Sequence, residues 1–304
     1  MLDSVKAREA ARRSQCSNNL KQMTLGCLNY EDVFKALPHN GIKSHVLDGH
    51  TISWRGWLLP YIEQTALYEQ LNKKGPNAGY TCGSSMNHSI LRDKKVSFST
   101  YWCPSSPLKK FHNNGGTGTG TWDIIDCLRA HYMGIGGSYI HHTKIEWTTG
   151  TKNKNIDSTG GCILHEAIEL SKITDGTSNT MIIAEESNYH VKPDGTQETL
   201  GTDNYTLTFL MGQEWQGSSD QDPSQRDNCR PFGISFVRFQ VNQHVDFTGY
   251  SNSWMNAPIR SAHSGGANVG FVDGSVRFLN SSVNLDEVLC RFADKDDGQV
   301  INFP

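Results

Sequence analysis

An amphipathic helix at the start of the chain constrains the fold more than any other feature. Apolar residues recur at alternating steps of four and three, which is the spacing of one helix face, at Cys16, Leu20, Met23, Cys27, Tyr30, Phe34 and Leu37. The preceding run KAREAARR (6–13) favours helix but offers little to a core. Pro38 ends the pattern. The sequence predicts one helix over residues 3–37, roughly 50 Å long, whose second half packs on a globular body and whose first half projects.

A second strong pattern lies near the C-terminus, where Asp273-Gly274 separates two apolar runs. Asp-Gly is typical of a two-residue hairpin turn, since both residues tolerate positive φ. Pairing outward from such a turn sets Phe271 opposite Val276 and Gly270 opposite Arg277. Because side chains alternate along a strand, one face of the hairpin is predicted to be apolar and the other more polar.

His263, Gly265 and Gly266 lead into this hairpin but are not required by it. His263 either braces the incoming turn or acts as a ligand. The strength of the hairpin pattern favours the bracing role.

Composition narrows the class of protein. The 304 residues carry a formal charge of -3, and outside the first helix no long basic run is present, which argues against a nucleic-acid partner. The 29 glycines and many aromatic residues favour β structure with long loops. No transmembrane run or signal-peptide core is visible. The abrupt start on a helix suggests that an N-terminal segment is missing.

Eight cysteines are present without a C-x-x-C pair, so cysteine spacing gives little support to a zinc site. Some disulfides in an oxidising compartment remain an alternative to buried free thiols. The pair Cys82 and Cys103, both in loop-rich sequence, is the best candidate disulfide.

The rest of the chain predicts one further helix at 60–71, a short one near 285–293, and short strands at 98–103, 131–136, 162–164, 180–185 and 299–303. The predicted class is therefore α+β, with a long N-terminal helix packed on an antiparallel β-rich body. Residues 1–37 form the helix and residues 38–304 the head.

Motifs for catalysis are missing, so the chain is predicted not to be an enzyme. The stretch Asp294–Gly298 resembles a calcium loop, but its glycine is one position early and no glutamate closes it. No cofactor is expected, although a calcium site among carboxylates stays open.

An ordered series of segments resembles the planctomycete-type prepilin-like family that is known for a C-terminal H-x9-DG motif. The matching segments are AREAARRSQCSNNLKQ (7–22), SWR (53–55), LLPYIEQ (58–64), CPS (103–105), ITDGTSNT (173–180), AE (184–185), His263 to Asp273-Gly274, and DGQVI (297–301). The family-motif residues are His263, Gly265, Gly266, Asn268, Asp273, Gly274, Asp175, Gly176, Ser178 and Asn179.

This resemblance implies a pilin-like fold and a structural role. The chain would be a pseudopilin or minor pilin of a type II secretion or type IV pilus-like system. Such a protein is exported to the periplasm or cell surface and is anchored in the inner membrane before assembly, through a hydrophobic segment that this sequence lacks. Its partners would be other pilin subunits, contacted through the N-terminal helix.

The alternative is an extracellular module that binds a solute or glycan. Trp122, Trp147, Trp215 and Trp254 lie in polar, loop-like sequence, where indole rings could stack on sugars. The competing interpretation of these tryptophans, as partly buried anchors at loop bases, is favoured.

Overall fold

The structure is a computed structural model of the whole chain. It describes residues 2–41, 49–74, 78–81, 85–113, 124–149, 152–198, 208–215, 230–246, 256–299 and 301.

The helices of these residues are α1 (Leu2–Phe34), α2 (Trp54–Trp57), α3 (Thr65–Gln70), α4 (Met86–Asp93) and α5 (Cys290–Ala293). Short 3-10 turns cover Leu59–Ile62 and Leu170–Lys172, and a π-helical turn over Leu285–Leu289 leads into α5. The fold is α+β, as the sequence predicted.

The strands are β1 (Gly49–Ile52), β2 (Phe111–His112), β3 (Cys127–Leu128), β4 (Tyr132–Ser138), β5 (Ile145–Thr149), β6 (Lys152–Asp157), β7 (Met181–Glu185), β8 (His190–Val191), β9 (Gln197–Glu198), β10 (Met211–Trp215), β11 (Arg230–Pro231), β12 (Ile234–Val237), β13 (Gly266–Phe271) and β14 (Val276–Asn280). A five-stranded sheet in the order β12-β4-β7-β13-β14 forms the centre. It is mixed, because β12 and β4 run parallel while its other pairs are antiparallel. The prediction of an antiparallel body was therefore wrong at the β12–β4 pair.

Helix α1 confirms the predicted apolar stripe except at its end, where Phe34 is 58 % exposed. Cys16, Leu20 and Met23 are fully buried, and the helix stops at Phe34, just before Lys35 takes a left-handed φ of 59°. The first half was expected to project. It is largely exposed, but Glu9 reaches back to the head by hydrogen bonds with Ser105 and His263.

The C-terminal hairpin is present, but the predicted register was wrong by one residue. Gly270 pairs with Val276, and Val269 pairs with Arg277. The turn is longer than two residues, because Gly274 N donates to Phe271 O and Phe271 N donates to Ser275 O. Gly274 has a φ of 81°, which fits a type I turn followed by a left-handed bulge glycine.

The predicted division of the hairpin into an apolar and a polar face was also wrong for β13. This strand is buried throughout, because it lies between β7 and β14 and is covered on both sides. Val272 belongs to the cluster that contains Leu20 of α1, whereas Val269 and Phe271 belong to the cluster around Phe292 of α5.

Three local predictions fail for backbone reasons. The helix expected at 60–71 is divided into a 3-10 turn and α3, because Glu63 adopts a left-handed φ of 62°. Residues 98–103 form turns instead of a strand, and residues 162–164 form bends that hydrogen-bond to Ile135 of β4. The strands predicted at 131–136 and 180–185 are confirmed as β4 and β7, whereas the one at 299–303 lies mostly outside the described residues.

None of the helices in the described part of the chain combines the length and apolarity that a bilayer crossing requires.

Candidate functional site

Four ligand-type side chains converge where α1 meets the edge of the head. They are Cys16, Cys103, Glu185 and His263, and one ligand atom from each lies within 4.8 Å of those of the other three. All four residues are buried, with exposed fractions between 0 and 3 %. They come from four segments that are far apart in the chain, so only the tertiary fold brings them together.

Cys16 and Cys103 enter the site through different local structures. Cys16 is the first residue of the apolar stripe of α1, so it faces the head. Cys103 follows a turn in which Trp102 N donates to Ser99 O, and the next turn begins at Cys103 itself, whose carbonyl accepts from Ser106 N. These consecutive turns, which replace the predicted strand, hold the Cys103 thiol towards the helix.

Glu185 is the last residue of β7, and its carboxylate is held by the neighbouring strand. Asn268 N donates to Glu185 Oε2 at 2.9 Å, and Asn268 Nδ2 donates to Glu185 Oε1 at 3.0 Å. The register explains this contact, since Ala184 of β7 pairs with Val269 of β13.

The His263 ring is oriented by Glu9 from α1. His263 Nδ1 donates to Glu9 Oε1 at 2.7 Å, and Glu9 is itself held by Arg12 and Ser105. The second ring nitrogen, Nε2, therefore points into the cluster, 3.7 Å from Cys103 Sγ and 3.5 Å from Glu185 Oε1. The predicted role of His263 was to brace the hairpin entry, but its ring also joins this cluster.

The electrostatics of the cluster favour a thiolate beside an imidazolium when no ion is bound. A hydrogen bond from Cys16 lowers the pKa of Cys103 to about 6, against the opposing effect of burial. The same hydrogen bond, together with burial, raises the pKa of Cys16. Burial alone would lower the pKa of His263, but hydrogen bonds with Cys103, Glu185 and Glu9 raise it to about 10.

These groups suit two kinds of chemistry. A thiolate beside a histidine is the pair found in cysteine nucleophiles, and thiolate, imidazole and carboxylate together are transition-metal ligands. Cys103 is 0 % exposed, so its sulfur is covered by surrounding protein groups. A cleft of about 290 Å³ borders the cluster only at His263, on the side lined by Tyr189 and Arg260.

The other family-motif residues have structural roles. Asp273 and Gly274 form the hairpin turn, where Ser275 N donates to Asp273 Oδ1. Gly265 has a φ of 86°, and a Cβ on Gly266 would lie 2.0 Å from Leu279 O, so both positions favour glycine.

Asp175 joins the turn at 173–180 to the C-terminal segment, because its carboxylate accepts hydrogen bonds from Asp297 N and Gly298 N. Around it, Gly176 has a φ of 93°, Asn179 Nδ2 donates to Asp175 O, and Ser178 O accepts from Arg277 Nη2. Two segments of the predicted series thus meet in space.

The structure does not describe the tryptophan side chains of the glycan prediction, or Cys82 of the predicted disulfide. Trp122, Trp254 and Cys82 lie outside the described residues, and of Trp147 and Trp215 only the backbone is described, in β5 and β10. Cys103 carries a free thiol.

The carboxylates of the calcium-like loop are taken up by protein groups. Asp294 accepts from Ser138 N and Ser138 Oγ, Asp296 contacts His141, and Asp297 accepts from Arg291. The loop therefore does not present a set of converging free oxygens to a cation.

The sequence did not single out Cys16, Glu185 and Glu9 as site residues, and it assigned Cys103 to a disulfide, although it did single out His263 and Asn268. Cysteine spacing gave no signal, because each ligand comes from a separate segment. The ordered series did contain a usable signal, since Cys16, Cys103, Glu185 and His263 each lie in one of its segments.

Comparison with known proteins identifies one family, whose function is described as unknown. A family model described as a protein of unknown function, DUF1559, matches residues 5–286. No significant match exists among curated proteins or among solved structures. Because the family model spans most of the sequence, this chain belongs to the DUF1559 family.

Proposed function

We propose that this chain is a non-enzymatic, exported structural subunit, a pseudopilin or minor-pilin-like component of a type II secretion or type IV pilus-like system. It works at the periplasm or cell surface, and its partners are other pilin-type subunits that pack against α1. This role is implied by the family that the ordered segments resemble. The difference in burial between the two halves of α1 supports it.

The observation that carries the proposal is the contrast between the two halves of α1. From Cys16 onward the helix is anchored by buried residues against the central sheet. Over residues 6–15 it is exposed except at Glu9 and Arg12, which are half-buried. An ordered helix with an open surface is what a neighbouring subunit needs for lateral packing.

The buried cluster supports a role without catalysis. Its thiols are fully covered, and of its four side chains His263 alone lines the described cleft of about 290 Å³. A reactive group that a substrate cannot reach does not serve turnover, so the cluster is better suited to holding the structure together.

Site-specific photo-cross-linking in cells that express the native gene tests the proposal. A photo-reactive residue at Ala11, on the exposed half of α1, is expected to cross-link to other pilin-type subunits in the membrane or sheared-filament fraction. The control is the same residue at Asn280, which is exposed at the end of β14. Equal cross-linking from both positions, or a cytoplasmic protein with no cross-links from Ala11, would contradict the proposal.

The alternative function, binding of a glycan or other solute, depends on four tryptophans whose side chains lie outside the described residues. No described contact favours it, and it stays a prediction.

A further inference from the structure

We propose that the chain binds one zinc-class divalent transition metal through Cys16 Sγ, Cys103 Sγ, a carboxylate oxygen of Glu185 and His263 Nε2. The metal would be structural and would join α1 to the head. This inference goes beyond the proposed function and stands whether or not the chain assembles with other subunits.

The separations between ligand atoms fit a tetrahedral metal centre. At the usual zinc bond lengths, a tetrahedron separates sulfur from nitrogen by about 3.6 Å and nitrogen from oxygen by about 3.4 Å. His263 Nε2 lies 3.7 Å from Cys103 Sγ and 3.5 Å from Glu185 Oε1. All four ligand atoms lie within 4.8 Å of one another, so small shifts bring them to bonding distance around one ion.

The surrounding groups already hold the ligands in a metal-binding orientation. A metal-bound histidine usually donates its other ring N–H to a carboxylate, which fixes the ring and raises its basicity. Glu9 accepts this hydrogen bond from His263 Nδ1 at 2.7 Å and leaves Nε2 for the metal. Both Glu185 oxygens are steadied by Asn268, so the carboxylate is positioned as well.

The donor types complement a cation. Two thiols, a carboxyl group and one imidazole are packed together in a buried space. Bound as two thiolates and a carboxylate, they would offset the charge of a dication, because metal binding releases the protons of its thiol ligands.

The ligand types select the metal. Thiolate and imidazole ligands favour zinc and related ions over calcium or magnesium, which prefer oxygen. Four protein ligands complete a tetrahedron, and the buried position leaves no place for a water or substrate. The centre therefore resembles structural rather than catalytic zinc sites. The cleft beside His263 offers a route by which the ion can enter.

The test is metal binding by the purified full chain, measured by elemental analysis and by the absorption spectrum after replacement with Co²⁺. We expect one metal per chain and a Co²⁺ spectrum with thiolate charge-transfer bands and intense tetrahedral d–d bands. Because this spectrum is measured on the unaltered protein, it decides the question even if the variants fold poorly.

Two cysteine variants on the same helix provide the matched comparison. Cys16→Ala should abolish stoichiometric binding, whereas Cys27→Ala, which also removes a buried thiol from α1, should retain it. Glu9→Gln keeps all four ligands but weakens the hydrogen bond to His263, so metal affinity should fall about 10- to 100-fold.

Three results would overturn the proposal. These are less than stoichiometric metal with no thiolate bands in the Co²⁺ spectrum, binding that survives Cys16→Ala, and a Cys16–Cys103 disulfide in protein prepared with reductant and supplied with zinc. None of them bears on the cross-linking test of subunit packing, so the two proposals can fail separately.

Discussion

Gly270 sets how closely α1 can approach the central sheet. A Cβ at this position would lie 2.5 Å from Thr24 Cγ2, which is closer than packed carbon atoms tolerate. Gly270→Ala is therefore expected to destabilise the protein by about 1–3 kcal/mol, as measured by urea unfolding.

Gly26→Ala is a control on the same helix, at its contact with the segment 58–62 rather than with the sheet. Its Cβ would meet Leu58 and Ile62 at 3.4 and 3.5 Å, which is ordinary contact. Alanine also favours helix over glycine by about 1 kcal/mol, so this variant should be neutral or more stable. Equal destabilisation by both substitutions would show that Gly270 does not mark the tight contact.

Asp294 makes stability depend on pH. Burial raises the pKa of this carboxyl to about 7, although two hydrogen bonds from Ser138 oppose the shift. Between about pH 4 and 7 the native carboxyl keeps a proton that the unfolded chain has lost. The resulting stability is fully present below about pH 4 and is lost as the pH rises to about 7.

Asp294→Asn should flatten this dependence, because asparagine stays neutral. The loss of unfolding free energy between pH 4.5 and 7.5 should be smaller than in the unaltered chain by up to about 3 kcal/mol. The unfolding free energy of this variant should still depend on pH to some extent, since burial also raises the pKa of Glu186 to about 7. A slope for the Asp294 variant equal to that of the unaltered chain would contradict the assignment of this pH dependence to Asp294.

At the scale of elements, the packing of α1 on the sheet is the main stabilising contact of the helix. Leu20 is fully buried against the core and Leu25 is 42 % exposed on the same helix. Leu20→Ala should lower the unfolding free energy by about 2–5 kcal/mol, and Leu25→Ala by less than about 1 kcal/mol. Similar losses in urea unfolding would argue that the helix does not dock through this stripe.

Elements with a long repeating pattern were predicted correctly. Predictions were wrong where the backbone conformation of a single residue changed the course of the chain. The stripe of α1 repeats often enough that a single exception does not change its interpretation. The hairpin depended on one turn, and because Gly274 serves as a bulge residue, every pair moved by one position. The left-handed φ of Glu63 likewise divided a helix that propensity alone favoured. No residue type indicated this break in the sequence, because glutamate, unlike glycine, rarely adopts a left-handed φ.

At the scale of the whole molecule, the candidate site could be predicted only in part. His263 stood out in the sequence because the hairpin pattern does not require it, and Asn268 because it belongs to the family motif. Cys16, Cys103 and Glu185 join them through helix docking, consecutive turns and strand register, none of which is visible as spacing along the chain. Both the burial of β13 on two faces and the cluster are consequences of tertiary packing.

If a metal joins α1 to the head, its removal should loosen the helix before the core. After treatment with a chelator, amides of residues 9–20 should exchange with deuterated solvent faster, while those of β7 remain protected until global unfolding. Hydrogen exchange followed by mass spectrometry measures both segments together. Unchanged exchange in α1, or equal loss of protection in β7, would contradict a local joining role.

X-ray absorption at the zinc edge, measured on the purified full chain, reports the ligands of the bound ion. Two sulfur ligands at about 2.3 Å and two nitrogen or oxygen ligands at about 2.0–2.2 Å are expected. A shell of nitrogen and oxygen alone, or the absence of bound zinc from protein supplied with it, would contradict the assignment of Cys16, Cys103, Glu185 and His263 as a metal centre.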